Sequence, residues 1–253
     1  MQGRHDGRRV LVTGAGSGIG RGIVLRMLAE GARVVAGDID EQGLKDTAAA
    51  ADHADRLLTV PVDIADQTSA RTACATAADH LGGLDVLVNA AGIMRAAHTH
   101  EMSLEVWNQV IGVNLTGTFL MCRAALPTLL RADHPVIVNF SSTAAFGSNP
   151  YMAAYSASKG GINAFTHSLA LEYVKQGLRA VNIVPGGIST GITSNLALPA
   201  DADWGLMARL TGWIDGGMLG DPADVAGVVA MVASEDGRYI TGSEIRVDGG
   251  ALM

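Results

Sequence analysis

Aromatic residues make up only 4% of this 253-residue chain, so its core has to be assembled mostly from Ala, Val, Leu and Ile within a 48% hydrophobic composition. Cysteine is scarce as well. Cys74 and Cys122 fall inside expected helices without metal-ligand spacing, and they read as buried free thiols in a reducing cytoplasm. No basic run occurs, and 18 Lys+Arg against 25 Asp+Glu leave a net charge of −7, so neither nucleic acid nor an anionic membrane is an expected partner. No apolar run reaches bilayer length, and Met1–Arg9 lacks the apolar stretch of a signal peptide. The expectation is a soluble, intracellular, cytoplasmic protein. What the chain does have is the length of one large domain, able to bury roughly 70–75% of its unfolded surface. Its 32 glycines are spread along the sequence, which suits tight βα turns and close helix–sheet packing.

Short β-branched runs alternate with longer Ala- and Leu-rich amphipathic segments. Strands are expected at Val10–Thr13, Arg33–Gly37, Leu57–Val60, Leu84–Asn89, Val136–Ser141, Arg179–Val184 and Glu244–Val247. Helices are expected near Ile19–Glu30, Glu41–Ala51, Asp66–Leu81, Leu104–Leu130, Ala154–Lys175 and Pro222–Ala233. Strands apolar almost throughout, in β-α-β order, predict a single α/β domain: a doubly wound, seven-stranded parallel sheet with helices on both faces, a Rossmann fold. Ligands then belong beyond the carboxyl ends of the strands. Residues 189–220 break the rhythm and carry Trp204, Leu206, Met207, Leu210, Trp213 and Met218. That composition reads as an apolar flap over a site, or else as a helical excursion packed on its own domain.

The first strand runs into Gly14-Ala15-Gly16-Ser17-Gly18-Ile19-Gly20 and then a helix. Glycines let the main chain approach a pyrophosphate, and the helix offers free N–H groups and its positive dipole end to that anion. In a dinucleotide site an acid about twenty residues further on binds the adenosine ribose, and Asp38 ends the second strand. Its charge would repel a 2′-phosphate, which favours NAD over NADP. Arg33 and Arg21 are the nearest cations, and either would overturn that preference by folding toward the ribose.

Tyr155 and Lys159 lie four residues apart, on one face of an expected helix. A phenol loses its proton near pH 10, too high for a base at neutral pH, and a neighbouring ammonium favours the phenolate. The serine pair Ser141-Ser142 precedes them.

With these residues in hand, the chain resembles the short-chain dehydrogenase/reductase family over essentially its whole length. Thr13–Gly20 matches the family's cofactor turn. Asp63-Ile64 matches the pair whose acid meets the adenine, and Asn89-Ala90-Ala91-Gly92 looks like the Asn-Asn-Ala-Gly element with Ala90 for its second Asn. Asn114 falls where the family keeps a catalytic asparagine. Pro185-Gly186-Gly187-Ile188-Ser189-Thr190 resembles the segment that holds the nicotinamide carboxamide through Ile188 and Thr190.

The resemblance implies a secondary alcohol–ketone interconversion coupled to NAD(H). Tyr155 would exchange the hydroxyl proton, Lys159 would lower the tyrosine's pKa and bind the nicotinamide ribose, and Ser142 would hold the substrate oxygen. Asn114 would hold a water near Lys159, or else satisfy backbone groups at a helix irregularity. Ser141 is the rival to Ser142, and it reads as packing or capping a strand end. Met94, Arg95, Phe146, Asn149, Pro150, Tyr151, Met152 and Gly187 flank these elements and border the substrate, or serve as scaffold; Trp204 and Met207 would face it from the flap. Together they suggest a substrate with apolar surface. His98 and His100 read as solvated loop histidines and not as metal ligands, since hydride chemistry requires no metal. Arg123, Arg131, Lys175 and Arg179 read as solvated helix charges, with a carrier-protein docking patch as the alternative. Family likeness further implies a homotetramer. A 3-oxoacyl-[acyl-carrier-protein] reductase and a catalytically silent nucleotide sensor are the competing readings.

Overall fold

Val- and Ile-rich runs form strands β1 (Arg9–Thr13), β2 (Arg33–Asp38), β3 (Leu57–Pro61), β4 (Val86–Asn89), β5 (Val136–Phe140), β6 (Arg179–Pro185) and β7 (Glu244–Val247). Between them lie helices α1 (Gly18–Ala29), α2 (Glu41–Ala49), α3 (Gln67–Leu81), α4 (Leu104–Ile111), α5 (Thr118–Leu129), α6 (Ala153–Tyr173), α7 (Gly191–Ser194), α8 (Trp204–Met207) and α9 (Pro222–Ala233). The computed structural model describes residues 3–147, 149–207, 212–214 and 219–253. Leu210 and Met218, expected in the flap, lie outside the described residues.

The strands make one parallel sheet in the order β3-β2-β1-β4-β5-β6-β7, the single-domain, doubly wound arrangement expected. Both faces are apolar, and the strand period decides which side chain goes where. Val10, Val12, Val34, Ala36, Val86, Val88, Val136 and Val138 pack with α1 and α9 on one face. Their neighbours Leu11, Val35, Leu87 and Ile137 pack with α3, α5 and Leu169 and Ala170 of α6 on the other.

Local signals set the helix ends. Asp40, Asp66, Ser103 and Asp221 each accept a backbone N–H in the first turn of α2, α3, α4 and α9. Pro222 opens α9 where a missing N–H costs nothing. The expected helix Leu104–Leu130 is in fact α4 and α5 joined by a π turn at Gly112–Gly117. An extra residue per turn re-aims the side chains there, a device common at functional sites. Leu104–Leu129 has the length and mean hydropathy, 1.3, of a bilayer span, yet half of its most apolar window is buried inside the domain, as in a core helix.

Two residues depart from their expected surroundings. Arg179 is buried at the start of β6 and donates to the carbonyls of Ile240 and Ser234, satisfying acceptors behind α9. Burial and the neighbouring Arg8 lower its pKa to about 10. His98 is not simply solvated; its Nε2 donates to Asp201 Oδ1 at 2.9 Å. Both cysteines are buried and free, with thiols pushed up to about 12 by burial.

Candidate active site

The carboxyl ends of β1, β2 and β4 open into a cleft of about 370 Å³, lined by Gly14, Ser17, Gly18, Ile19, Gly20, Asp38, Asp63, Ile64, Ala90 and Gly92 from the expected set, together with Thr190. Gly14 has φ +68°, and a Cβ there would come within 2.7 Å of the Ala91 backbone. A Cβ on Gly20 would sit 2.0 Å from the Gly14 carbonyl oxygen, so α1 can start this close to β1 only without a side chain. Ser17 is the N-cap of α1 but makes no side-chain cap bond, so the first N–H groups of that helix stay available. A tight turn without side chains, a free helix N-terminus and an acid at the far end fit a dinucleotide. A larger cleft of about 860 Å³ runs along the outer side of α1 past Arg21, Arg26, His53 and Pro222; it shares only Gly18, Thr190 and Gly191 with the first and none of the catalytic candidates.

Asp38 lies across the glycine turn. Its Oδ2 accepts the Gly16 N–H at 2.8 Å and its Oδ1 accepts the Asp40 N–H at 2.9 Å. Neither of the two nearest cations is hydrogen-bonded to Asp38 among the described residues, although Arg21 reaches the same glycine turn. Arg21 donates to the Gly16 and Gly43 carbonyls and to Thr47 Oγ1. Arg33 donates to the carbonyls of Leu81 and His80, beyond the amino end of β2.

Six expected cofactor residues are not in the cleft lining; Tyr155 and Lys159 stand beside it, and the other four turn elsewhere. The Asn89 side chain turns into the sheet and donates to Asn139 Oδ1 at 2.8 Å. Pro185 is the buried end of β6, Gly186 packs on Asp248, and Ile188 is buried against Gly220. Ile39, Val62, Ile93, Gln109, Val113, Gly191 and Ile192 line the cleft unannounced by any motif, beside Ala91 of the Asn89–Gly92 element.

Beside this cleft the ends of β4 and β5 meet the start of α6. Lys159 is buried, and its Nζ donates to the Phe140 carbonyl at 2.8 Å and stands 5.5 Å from the Tyr155 ring centroid. Gly92 closes over it, since a Cβ there would lie 3.7 Å from Nζ. Ser142 is buried, caps the turn at Thr143–Ala145 through Ala144 N–H at 3.2 Å, and is hydrogen-bonded to Tyr155. Ser141 donates to the Lys159 carbonyl at 3.1 Å, which ties α6 to the strand end.

Electrostatically the pair differs from the sequence expectation. Burial pushes the Tyr155 hydroxyl above its usual value, and only the Ser142 hydrogen bond pulls the other way. Burial lowers Lys159 to about 8. In this dry site desolvation outweighs the lysine's influence on the phenol, whose ring it faces at 5.5 Å. Asn114 sits in the π turn, fully buried, with its side chain on Ile93 and Ser158. Phe146, Asn149, Tyr151 and Met94 surround the start of α6 and the loop after β4, whereas Trp204 is 72% exposed.

Residues 8–200 match the family model described as short chain dehydrogenase. The chain is 37% identical over 252 residues to 2,5-dichloro-2,5-cyclohexadiene-1,4-diol dehydrogenase LinX of Sphingobium indicum, covering 99% of this chain and 98% of that one. Among solved structures, 3-ketoacyl-(acyl-carrier-protein) reductase from Brucella melitensis complexed with NADH superimposes with a TM-score of 0.89 at 31% identity, covering 98% of this chain and 99% of that one. A short chain dehydrogenase from Burkholderia cenocepacia J2315 in complex with NADP gives 0.88 at 31% identity, covering 99% and 100%.

Proposed function

The chain belongs to the short-chain dehydrogenase/reductase family, and from that membership we propose that it is an NAD(H)-dependent oxidoreductase interconverting a secondary alcohol and a ketone on a largely apolar small molecule. The observation that carries this reading is the convergence of Ser142, Tyr155 and Lys159 beside a groove whose other end holds Asp38. The groove residues would hold the cofactor, with Asp38 on the adenosine ribose and Asp63 and Ile64 at the adenine. The nicotinamide supplies hydride acceptance and donation at the reacting carbon.

This chain's own residues handle the oxygen and its proton. Ser142 holds the substrate oxygen and, through its bond to Tyr155, aims the phenol at it. Tyr155 gives or takes the proton, and burial, which raises its pKa, favours the phenol as the resting form. Lys159, charged below about 8, keeps a positive group under the phenol. Asn114 fixes the floor of the site. The described parts of 189–220 would act as the flap, where Trp204, Leu206 and Met207 suit a ring or acyl body. Arg21 and Arg33, each bonded to backbone carbonyls, support NAD over NADP.

Exposed Leu104, Trp107, Phe119, Leu171 and Val174 on α4, α5, α6 and just after α6 support assembly into a homotetramer through these helices. The free thiols suit a cytoplasmic setting. A 3-oxoacyl-carrier reductase is the second reading, favoured by the likeness to the Brucella melitensis enzyme.

The test follows reduced-nicotinamide absorbance with NAD and NADP in parallel, over a panel of cyclic and acyl secondary alcohols, with Tyr155→Phe as the blank. A signal with NAD that the variant abolishes is expected. A signal with NADP alone would overturn the reading of Asp38, and cofactor binding without turnover on any substrate would favour a silent sensor.

A further inference from the structure

We propose that His98 and Tyr151 are positioning residues that clasp the flap segment 201–207 over the N-terminal end of α6, and that this clasp opens as pH rises. The inference rests on the reading of Ser142 and Tyr155 as the reacting centre.

Two contacts, from two different parts of the chain, hold the segment. His98, in the loop after β4, donates from Nε2 to Asp201 Oδ1 at 2.9 Å. Tyr151, in the turn before α6, accepts the Asp203 backbone N–H on its hydroxyl at 2.8 Å. The same Asp203 caps α8, accepting the N–H of Gly205 at 2.8 Å and of Leu206 at 3.3 Å. The short helix that carries Trp204 and Met207 is therefore fixed to Tyr151 through one residue.

The two holding side chains also brace each other. Their rings meet edge to face at 5.2 Å, and the Tyr151 carbonyl accepts the Ala97 N–H at 2.8 Å. Tyr151 has φ +66°, a left-handed conformation that costs a bulky residue energy. Its carbonyl, ring and hydroxyl are all engaged, which is how such a strained conformation is kept. Tyr155 follows four residues later, so the clasp stands at the mouth of the site.

The groups facing His98 are Asp201, the Glu101 carboxylate, the His100 ring at 5.7 Å and Tyr151, with Asp203 on the clasped segment. The hydrogen bond to Asp201 and the charge of Glu101 raise the His98 pKa. A base whose pKa is raised by a contact stabilises that contact fully below its ordinary value, about 6.5, and the stabilisation is lost as pH rises through the raised value. The pair is exposed to solvent, hence modest and weakened by salt, as a reversible closure requires.

The test reads the flap first, with no cofactor or substrate. In a Trp107→Phe/Trp213→Phe protein, the emission of Trp204 is titrated with pH at low and high salt. A transition above about pH 6.5 is expected, lost in His98→Gln and in Asp201→Asn, and smaller at high salt. No transition, or the same transition in His98→Gln, overturns the clasp. Steady-state kinetics then test positioning: His98→Gln should raise KM roughly two- to five-fold and flatten its pH dependence, with kcat nearly unchanged. An unchanged KM would overturn the positioning role. A clean fluorescence transition in a protein that turns over no substrate would support the clasp and sink the catalytic reading instead.

Discussion

Asn114 grips the backbone of Ile93 with both ends of its side-chain amide: Oδ1 accepts the Ile93 N–H at 2.8 Å, and Nδ2 donates to the Ile93 carbonyl at 2.9 Å. Nδ2 also donates to Ser158 Oγ at 3.0 Å, and Ser158 in turn donates to the Tyr155 carbonyl at 2.7 Å. One buried side chain thus joins the loop after β4 to the helix that carries the proposed base. The π turn makes this possible by leaving Asn114 facing inward.

Asn114→Ala leaves the part-buried Ile93 N–H and carbonyl without their partner and removes one of the two hydrogen bonds of Ser158 Oγ. The expected loss is roughly 2–4 kcal/mol of stability, measured by denaturant unfolding. The activity of the protein that remains folded should fall through kcat, because the loop and Tyr155 lose their common tie. An Asn114→Ala protein as stable as the parent would show that the clamp is replaced by solvent.

Ser142→Ala should shift the pH profile of alcohol oxidation as well as lower its rate. Oxidation needs the Tyr155 phenolate, so its rate climbs with pH through the tyrosine's pKa. The Ser142 hydrogen bond is the one influence holding that pKa down against burial. Without it the rising limb moves to higher pH, and kcat falls about 10²- to 10³-fold as for a lost oxyanion donor. A rate loss with an unmoved limb would mean that Ser142 binds substrate without tuning Tyr155.

Asp38→Ala removes the charge at the ribose end of the groove and the acceptor for the Gly16 N–H. The ratio of kcat/KM for NAD over NADP should drop about 10- to 100-fold, since a like-charge contact worth several kcal/mol is only partly exposed here. Because the Gly16 N–H loses its partner, NAD itself should also bind more weakly. An unchanged ratio would place the discrimination in another residue.

The strands were legible in the sequence because β1, β4 and β5 are apolar on both faces, a pattern that only a sheet sandwiched by helices requires. The roles proposed for Ser142, Tyr155 and Lys159 rest on the family resemblance; helical spacing by itself set only Tyr155 and Lys159 on one face. The π turn was not, since the apolar periodicity of Leu104–Leu130 runs through Gly112–Gly117 unbroken. Val113 of the groove directly precedes Asn114, and Gln109 lies about one helical turn before Val113, so both could have been found from Asn114. The inward turn of the Asn89 side chain was hidden because matching a segment locates backbone, while the direction of a side chain depends on its neighbours. Sheet order sets Asn89 beside Asn139 and Asn139 beside Asn182 on adjacent strands. Thr166 completes a buried polar ladder with Asn139 at 2.9 Å and Asn182 at 2.8 Å, which no local pattern reveals. The His98–Asp201 contact was hidden for the same reason, since its partners are a hundred residues apart.

At the opposite end of the sheet, His5 is fully buried, with Nε2 hydrogen-bonded to the Ala230 carbonyl at 2.9 Å and Nδ1 without a partner. Burial lowers its pKa first of all; the Ala230 bond and Glu30 oppose that, while Arg8 and Arg4 add to it. The folded state therefore binds this proton less readily than the unfolded chain. Stability is fully present above the unfolded value of about 6.5 and is lost as pH falls below it, by at most about 1.4 kcal/mol per pH unit. Thermal unfolding from pH 7.5 down to 5 should show Tm falling below about 6.5 in the parent. In His5→Gln, which keeps an N–H for Ala230 but cannot ionise, Tm should be flatter over the same interval. Parallel curves for the two proteins would move the acid sensitivity elsewhere, with the buried carboxylate of Glu30, held down by Arg26 and Arg4, as the group to change next.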